Sequence, residues 1–258
     1  MVEDISQQSL SEGLTTNIIG RNIVYYPSVT STMEAARQAV ERGEGEGTVI
    51  IAGRQSAGRG RIGRTWLSPE GGVALSVILR PKMANLPHLT MLACLSVAYS
   101  IKAVTGLKTQ IKWPNDVLIN DKKVCGILTE NDLRGNRVRN SIIGIGINVN
   151  ISIKDYPEIA GIATSLAGET GDEVSRVDII SSLLAEMERL YLTLPDRAEE
   201  IFHAWRDSLI TLGRNVTVQN GATTYEGMAE SVDRDGTLML RDKAGRLKRV
   251  VAADVTTG

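Results

Sequence analysis

Residues 53–65 read Gly-Arg-Gln-Ser-Ala-Gly-Arg-Gly-Arg-Ile-Gly-Arg-Thr, four glycines and four arginines, and Trp66 follows at once. Glycines let backbone amides come close to an anion, and guanidiniums fork onto its oxygens. Such a run suits a carboxylate or phosphate that is gripped and later released. It is not a P-loop, because no Gly-Lys-Ser/Thr ends it, and it is not the Gly-x-Gly-x-x-Gly of a dinucleotide site. The plain alternatives are a solvated loop or an RGG-like nucleic-acid segment. Its place between two strand-like runs, and an aromatic able to stack on a base, favour a ligand site.

A second constellation is Lys112-Trp113-Pro114-Asn115-Asp116. Pro114 sets a turn between strands, and Asn115 and Asp116 then project as acceptors, suited to a hydrated Mg²⁺ or a ribose-phosphate. The competing reading is an Asx-bonded turn. Lys123 opens the next strand, in which Gly126 allows a close approach to the backbone. Gly144-Ile145-Gly146-Ile147-Asn148 places glycines inside a strand again, for a ligand or another backbone. Cys125 reads as a small buried apolar residue. His88 and His203 read as packing or surface residues of helices.

The elements that must position these groups follow from periodicity. Residues 1–20 show none and read as a frayed end or short appendage. Ile23–Tyr26 is a strand, and Ser31-Thr32-Met33-Glu34 fits a capping box opening a helix to about Gly43. Thr48–Ala52 is a buried strand, and Val73–Leu79 alternates as a half-buried one. Pro87 to about Val104 is apolar nearly all round, so that helix is buried on several sides. Strand-like runs follow at Thr109–Trp113, Lys123–Asn131 and Val138–Asn150, with a hairpin turn at 133–137. Ile179 to Leu194 repeats as an amphipathic helix behind a Ser175/Asp178 cap. Pro195 ends it, and a shorter helix covers about Arg197–Leu209. After Gly213 come four short strands with tight turns, including Asn220-Gly221, which read as a small barrel.

The 258 residues are 42% hydrophobic and 23% charged, ordinary for a globular chain. Lys plus Arg number 29 and Asp plus Glu 30, a net charge of -1, which argues against wholesale nucleic-acid or anionic-membrane binding. There is no uninterrupted apolar run of about 18 residues, so no span is expected. The polar start, MVEDISQQSL, is no signal peptide. Two cysteines and two histidines speak against a disulfide scaffold and a His/Cys zinc site. A cytoplasmic enzyme of mixed α/β class is expected.

Taken in order, Ser31-Thr32, Gln55, the run from Gly58 to Trp66, Lys112–Asp116, Lys123 with Gly126-Ile127-Leu128, and Gly144–Asn148 resemble the biotin–protein ligase family. The resemblance spans about residues 21–258. It implies a catalytic fold of a mixed α/β central sheet flanked by helices over 21–211, after an N-terminal extension (1–20). An SH3-like domain would then occupy 212–258. It also implies two steps: biotin and Mg·ATP give biotinyl-5′-AMP and pyrophosphate, then a lysine of a biotin carboxyl carrier domain takes the biotin. By resemblance, Ser31, Thr32, Met33, Gln55, Arg59, Gly60, Arg61, Lys123 and Gly126 line the biotin side. Arg59, Arg61, Arg64, Trp66, Asn115, Lys123 and Asn148 line the ATP side, with Trp66 stacked on adenine. Lys123, Arg59 and Asp116 are the catalytic group. Mg²⁺ is the cofactor, with Asn115 or Asp116 as its contacts and no dedicated cage. Met33 departs from the family's usual Asn.

Two alternatives are a lipoate or octanoate ligase on the same fold and a non-enzymatic nucleic-acid-binding regulator. Twenty residues cannot hold the DNA-binding domain of some members, so no DNA partner and no membrane partner are expected. A homodimer by sheet extension around Gly144–Asn150 is allowed.

Overall fold

The computed structural model describes residues 5–220, 223–251 and 254–257. Seven strands build a mixed sheet: β1 (Ile23–Tyr26), β2 (Val49–Ala52), β3 (Val73–Leu79), β4 (Gln110–Lys112), β5 (Asp116–Ile119), β6 (Lys122–Arg134) and β7 (Arg137–Ile147). Their order is β1-β2-β3-β7-β6-β5-β4. Strands β1 and β2 run parallel, and the other neighbours are antiparallel.

Pleating sorts the side chains of this sheet. Leu75, Val77, Ile127, Ile143, Ile145 and Ile147 enter the main core, against α3 (His88–Thr105) and α5 (Arg176–Asp207). Ile50, Ile78 and Ile142 point the other way, under α2 (Thr32–Glu41), whose Met33, Ala35, Ala36 and Ala39 cover them. The alternating β3 is therefore buried on both faces, not half-buried, because α2 covers Ser76 and Ile78. On this second face β6 and β7 pair Gly126 with Gly146, Leu128 with Gly144, and Glu130 with Ile142. Glycine at three of these six positions leaves a hollow beside α2.

Helix α3 has the length and apolarity of a membrane span, but more than half of it is buried inside the fold. Pro195 stands two residues before a kink that divides one long helical run into two segments, close to where the sequence predicts two helices. It lies inside α5, which bends at Arg197 (φ -124°, ψ 29°). Leu190 and Leu194 before the bend and Ile201, Phe202 and Trp205 after it enter one core.

Residues 5–20 are not frayed. Helix α1 (Gln7–Glu12) is capped by Ser6, and Ile5, Leu10 and Ile19 are buried in the main core. Glu188 of α5 secures the segment. Its carboxylate accepts the amides of Asn17, Ile18 and Ile19 at 2.7, 2.6 and 2.8 Å. Burial raises the pKa of Glu188, but the three amides and Arg21 outweigh it and hold it below the usual carboxylate value. The stabilisation is thus full above the unfolded-state pKa and lost as pH falls through the lower folded value. Glu188→Gln is expected to cost about 1–3 kcal/mol at neutral pH. Urea denaturation across pH should show the gap to wild type closing in acid, and a pH-independent gap would show that the charge is not what binds the segment.

Helix α4 (Leu166–Thr170) sits between β7 and α5. Beyond α5, β8 (Asn215–Asn220), β9 (Thr223–Val232), β10 (Leu238–Arg241), β11 (Leu247–Val250) and β12 (Asp254–Thr257) form an antiparallel sheet in the order β11-β10-β9-β8-β12. That is one strand more than the spacing predicts, since β12 returns to pair with β8. Gly221 of the expected Asn220-Gly221 turn lies outside the described residues. Trp113 joins the two sheets: its amide donates to Thr211 Oγ1 at 3.0 Å and its indole N–H to the Gly236 carbonyl at 2.8 Å.

Sheet extension through Gly144–Asn150 does not fit this topology. Residues 141–147 pair with β3 on one side and β6 on the other, so their hydrogen-bonding edges are filled.

Candidate active site

The hollow over the β6–β7 glycines is a cavity of about 370 Å³. Thr32 and Met33 of α2 line it, with Gln55, Arg59 to Arg61 and Arg64 to Leu67 of the glycine–arginine loop. Asn115, Asp116, Lys123, Gly126, Gly144, Gly146 and Asn148 of the sheet complete that part of the wall. Of the residues expected in the site, Ser31 is absent from this lining. Ser31 is buried, and its Oγ has no hydrogen-bond partner in the fold.

The expected capping box on α2 does not form. Gln55 binds a different group of the first turn: its Oε1 accepts the Thr32 amide at 2.8 Å and the Thr32 hydroxyl at 3.2 Å. Ser76 Oγ donates to Thr32 Oγ1 at 2.8 Å, so a hydroxyl–amide chain ties loop, helix and sheet.

The loop is a folded strap. Trp66 N–H donates to the Gly58 carbonyl at 2.9 Å and Gly60 N–H to Arg64 at 2.7 Å. A side chain at Gly58 would meet the Trp66 carbonyl at 2.4 Å, so glycine is required there. At the tip Ile62 is β-branched at φ 53° and 55% exposed. That conformation costs about 1–2 kcal/mol, so the strap is strained at its tip.

The strand glycines accept side chains rather than a second backbone. A Cβ on Gly146 would fall 2.3 Å from Trp66 Nε1, and one on Gly126 would fall 3.0 Å from Trp66 Cζ3. The indole therefore lies directly on the Gly126–Gly146 pair. Met33 Sδ lies over Gly144 in the same way, 2.6 Å from where a Cβ would stand.

Lys123 is fixed by its backbone: its N–H donates to the Ile162 carbonyl and its carbonyl accepts the Thr164 amide, both at 2.9 Å. Its Nζ lies 2.6 Å from Asp116 Oδ1 and 5.4 Å from the Trp66 ring centre. Asn115 Oδ1 accepts from Arg61 Nη1 at 2.9 Å, and its Nδ2 donates to the Ile127 carbonyl at 2.7 Å. Both acceptors proposed for Mg²⁺ thus already face cationic side chains, and no group of three or more metal-binding side chains occurs among the described residues. This donor set does not suit a resident metal. Asn148 is buried and donates to the Thr164 carbonyl at 3.0 Å, so it supports the wall. Burial pushes the Cys125 thiol well above its usual pKa, with Cys94 adding to the effect, so it stays neutral and packed.

Sequence reasoning missed one wall, formed by Glu158, Ile159, Ile162 and Ala163. Ile162 is 67% exposed. The available signal was the long, mostly irregular connection between β7 and α5, since such loops are usually functional.

Residues 25–148 match the biotin/lipoate A/B protein ligase family, and residues 211–257 match the biotin protein ligase C-terminal domain. A bifunctional ligase/repressor BirA of Bacillus spizizenii is 38% identical over 98% of this chain and 79% of that protein. The chain belongs to the biotin protein ligase family. Another member, a biotin–[acetyl-CoA-carboxylase] ligase of Paracoccus denitrificans, is 34% identical over 81% of this chain and 90% of its own length. Among solved structures, the biotin protein ligase of Aquifex aeolicus in complex with biotin and ATP superposes with a TM-score of 0.79. It is 30% identical, over 92% of this chain and 99% of that one.

Proposed function

We infer that the chain is a biotin protein ligase. The observation that carries this reading is one cavity that sets an apolar floor, Trp66 and Met33, beside Lys123, Arg59, Arg61 and Arg64. A neutral bicyclic ring with an aliphatic tail fits the floor, and its carboxylate fits the cations. The biotin carboxylate attacks the α-phosphate of Mg·ATP, giving biotinyl-5′-AMP and pyrophosphate. The amine of a lysine on a carboxyl carrier domain then attacks the acyl carbon of the mixed anhydride, and AMP leaves.

Two anions must meet in the first step, so Lys123, Arg59 and Arg61 supply fixed positive charge at the reacting oxygens. Asp116 holds Lys123 and draws the incoming amine. Thr32, Gln55, Gly60, Gly126 and Met33 shape the biotin side, with Ser31 behind them. Trp66, Asn115, Arg64 and Asn148 shape the nucleotide side. The indole rests on Gly126 and Gly146 with the Lys123 ammonium near its ring, and it is the aromatic surface read as stacking on adenine. Magnesium is read as coming with ATP as part of the substrate, and the enzyme as cytoplasmic. The second sheet is read as the SH3-like domain, and the carrier as a subunit of a biotin-dependent carboxylase.

The test is ATP–pyrophosphate exchange with purified protein. Exchange should depend on biotin and not respond to lipoate or octanoate. Exchange driven by lipoate would move the enzyme to the other branch of the family.

The strap should order on binding. Ile62 is strained and exposed, and the four arginines repel one another, so a free strap opens at little cost. A bound carboxylate and phosphate reverse both terms, and the closed strap shields an anhydride that water would destroy. Biotin plus Mg·ATP is expected to slow trypsin cleavage after Arg59 and Arg61 on the order of tenfold. Equal rates with and without ligand would make the strap rigid scaffold.

A further inference from the structure

Glu130 stands on the cavity face of β6, in register with Ile142. Its carboxylate meets two guanidiniums. Oε2 accepts from Arg37 Nε at 3.1 Å and from Arg37 Nη2 at 2.9 Å. Oε1 lies 3.4 Å from Arg59 Nη2. Arg37 also pairs with Glu34, one turn back on α2. The chain Glu34–Arg37–Glu130–Arg59 thus connects the three elements around the cavity: α2, β6 and the strap.

The two contacts are unequal. Arg37 gives two hydrogen bonds, whereas Arg59 gives one long charge contact from a side chain that is 47% exposed. The second is much the weaker. Arg59 also lines the cavity and Arg37 does not. An anion bound in the cavity therefore competes with Glu130 for Arg59, and nothing there competes for Arg37.

We propose that Glu130 is a positioning residue that parks Arg59 at the cavity wall in the free enzyme and yields it to the carboxylate or phosphate of the bound substrates. Arg37 keeps Glu130 in place and, by sharing its charge, sets how firmly Arg59 is held. This rests on the cavity being the biotin and ATP site. A contact present only in the free state opposes binding, because a ligand shifts a conformational equilibrium only by its difference in affinity for the two states.

Two variants should then move in opposite directions. Glu130→Gln frees Arg59: the KM of the anion that claims it falls about threefold, the size of one partly exposed ion pair. In the free protein, trypsin cleavage after Arg59 quickens by a similar factor. Arg37→Gln leaves the whole Glu130 charge to Arg59, so that KM rises and cleavage slows. The double variant behaves as Glu130→Gln. Measuring KM for biotin and for ATP separately shows whether the carboxylate or the phosphate takes Arg59, and in either case the change falls in KM rather than kcat. A network that merely braces the fold would weaken binding in both single variants, and that result, or unchanged KM values, overturns the proposal. If the wild type showed no biotin-dependent exchange, the functional reading would fail. The ligand-free digestion would still test the Arg59–Glu130 contact, and equal rates in all the proteins would overturn it.

Discussion

Lys123→Ala lowers biotin-dependent ATP–pyrophosphate exchange by about 10²–10³-fold, the usual loss when one fixed charge-stabilising donor leaves a reacting centre. Its effect on the Kd of biotin is far smaller. The ammonium lies 2.6 Å from Asp116 and over the Trp66 ring, on a strand clamped by the 162–164 segment. Such a group is already oriented before substrates arrive. Its charge counts most when carboxylate and phosphate come together, and that occurs only on the way to the adenylate. Titrating biotin alone, then measuring exchange at saturating biotin, separates the two effects. Asp116→Asn is the companion variant: it keeps the shape, loosens Lys123, and should cost less than the loss of Lys123. Normal exchange in Lys123→Ala would remove this residue from the catalytic group.

Gly146→Ala is expected to lower kcat/KM by about two orders of magnitude while costing about 1–3 kcal/mol of stability, the range for inserting a methyl into a filled site. The added Cβ would stand 2.3, 2.4 and 2.8 Å from three atoms of the Trp66 indole. The rigid ring cannot fold away, so it must lift off the sheet into the cavity, displacing the floor and crowding Lys123. Gly144→Ala is the control. Its Cβ meets the sulfur of Met33 at 2.6 Å, but a thioether with three rotatable bonds can turn aside. Gly144→Ala should therefore keep most of the exchange activity. Thermal unfolding with exchange assays reads both quantities, and equal losses in the two variants would mean that strand packing, not the indole, dominates.

The charged and glycine-rich runs were legible in the amino-acid order alone, because they are local. Gly58 to Trp66, Lys112 to Asp116 and Lys123 state their chemistry without a fold, and the apolar run from Leu89 to Ile101 states its burial. The reading failed where a distant partner decides the outcome. Ser31 reads as a cap, but its side chain makes no cap bond, and Gln55, 24 residues away, ties down the first helical amide, that of Thr32. Residues 5–20 look frayed until Glu188 gathers three of their amides. Gly126 and Gly146 read as places for a ligand, and only their pairing across β6 and β7 shows that they make the bed for Trp66. Asn115 and Asp116 look like metal contacts, but the fold pairs the Asn115 oxygen with Arg61 and one Asp116 oxygen with Lys123. Local conformation and chemical capacity follow from neighbours in the chain. Which group satisfies which follows from the strand order β3-β7-β6-β5, which brings residues dozens of positions apart within hydrogen-bonding distance.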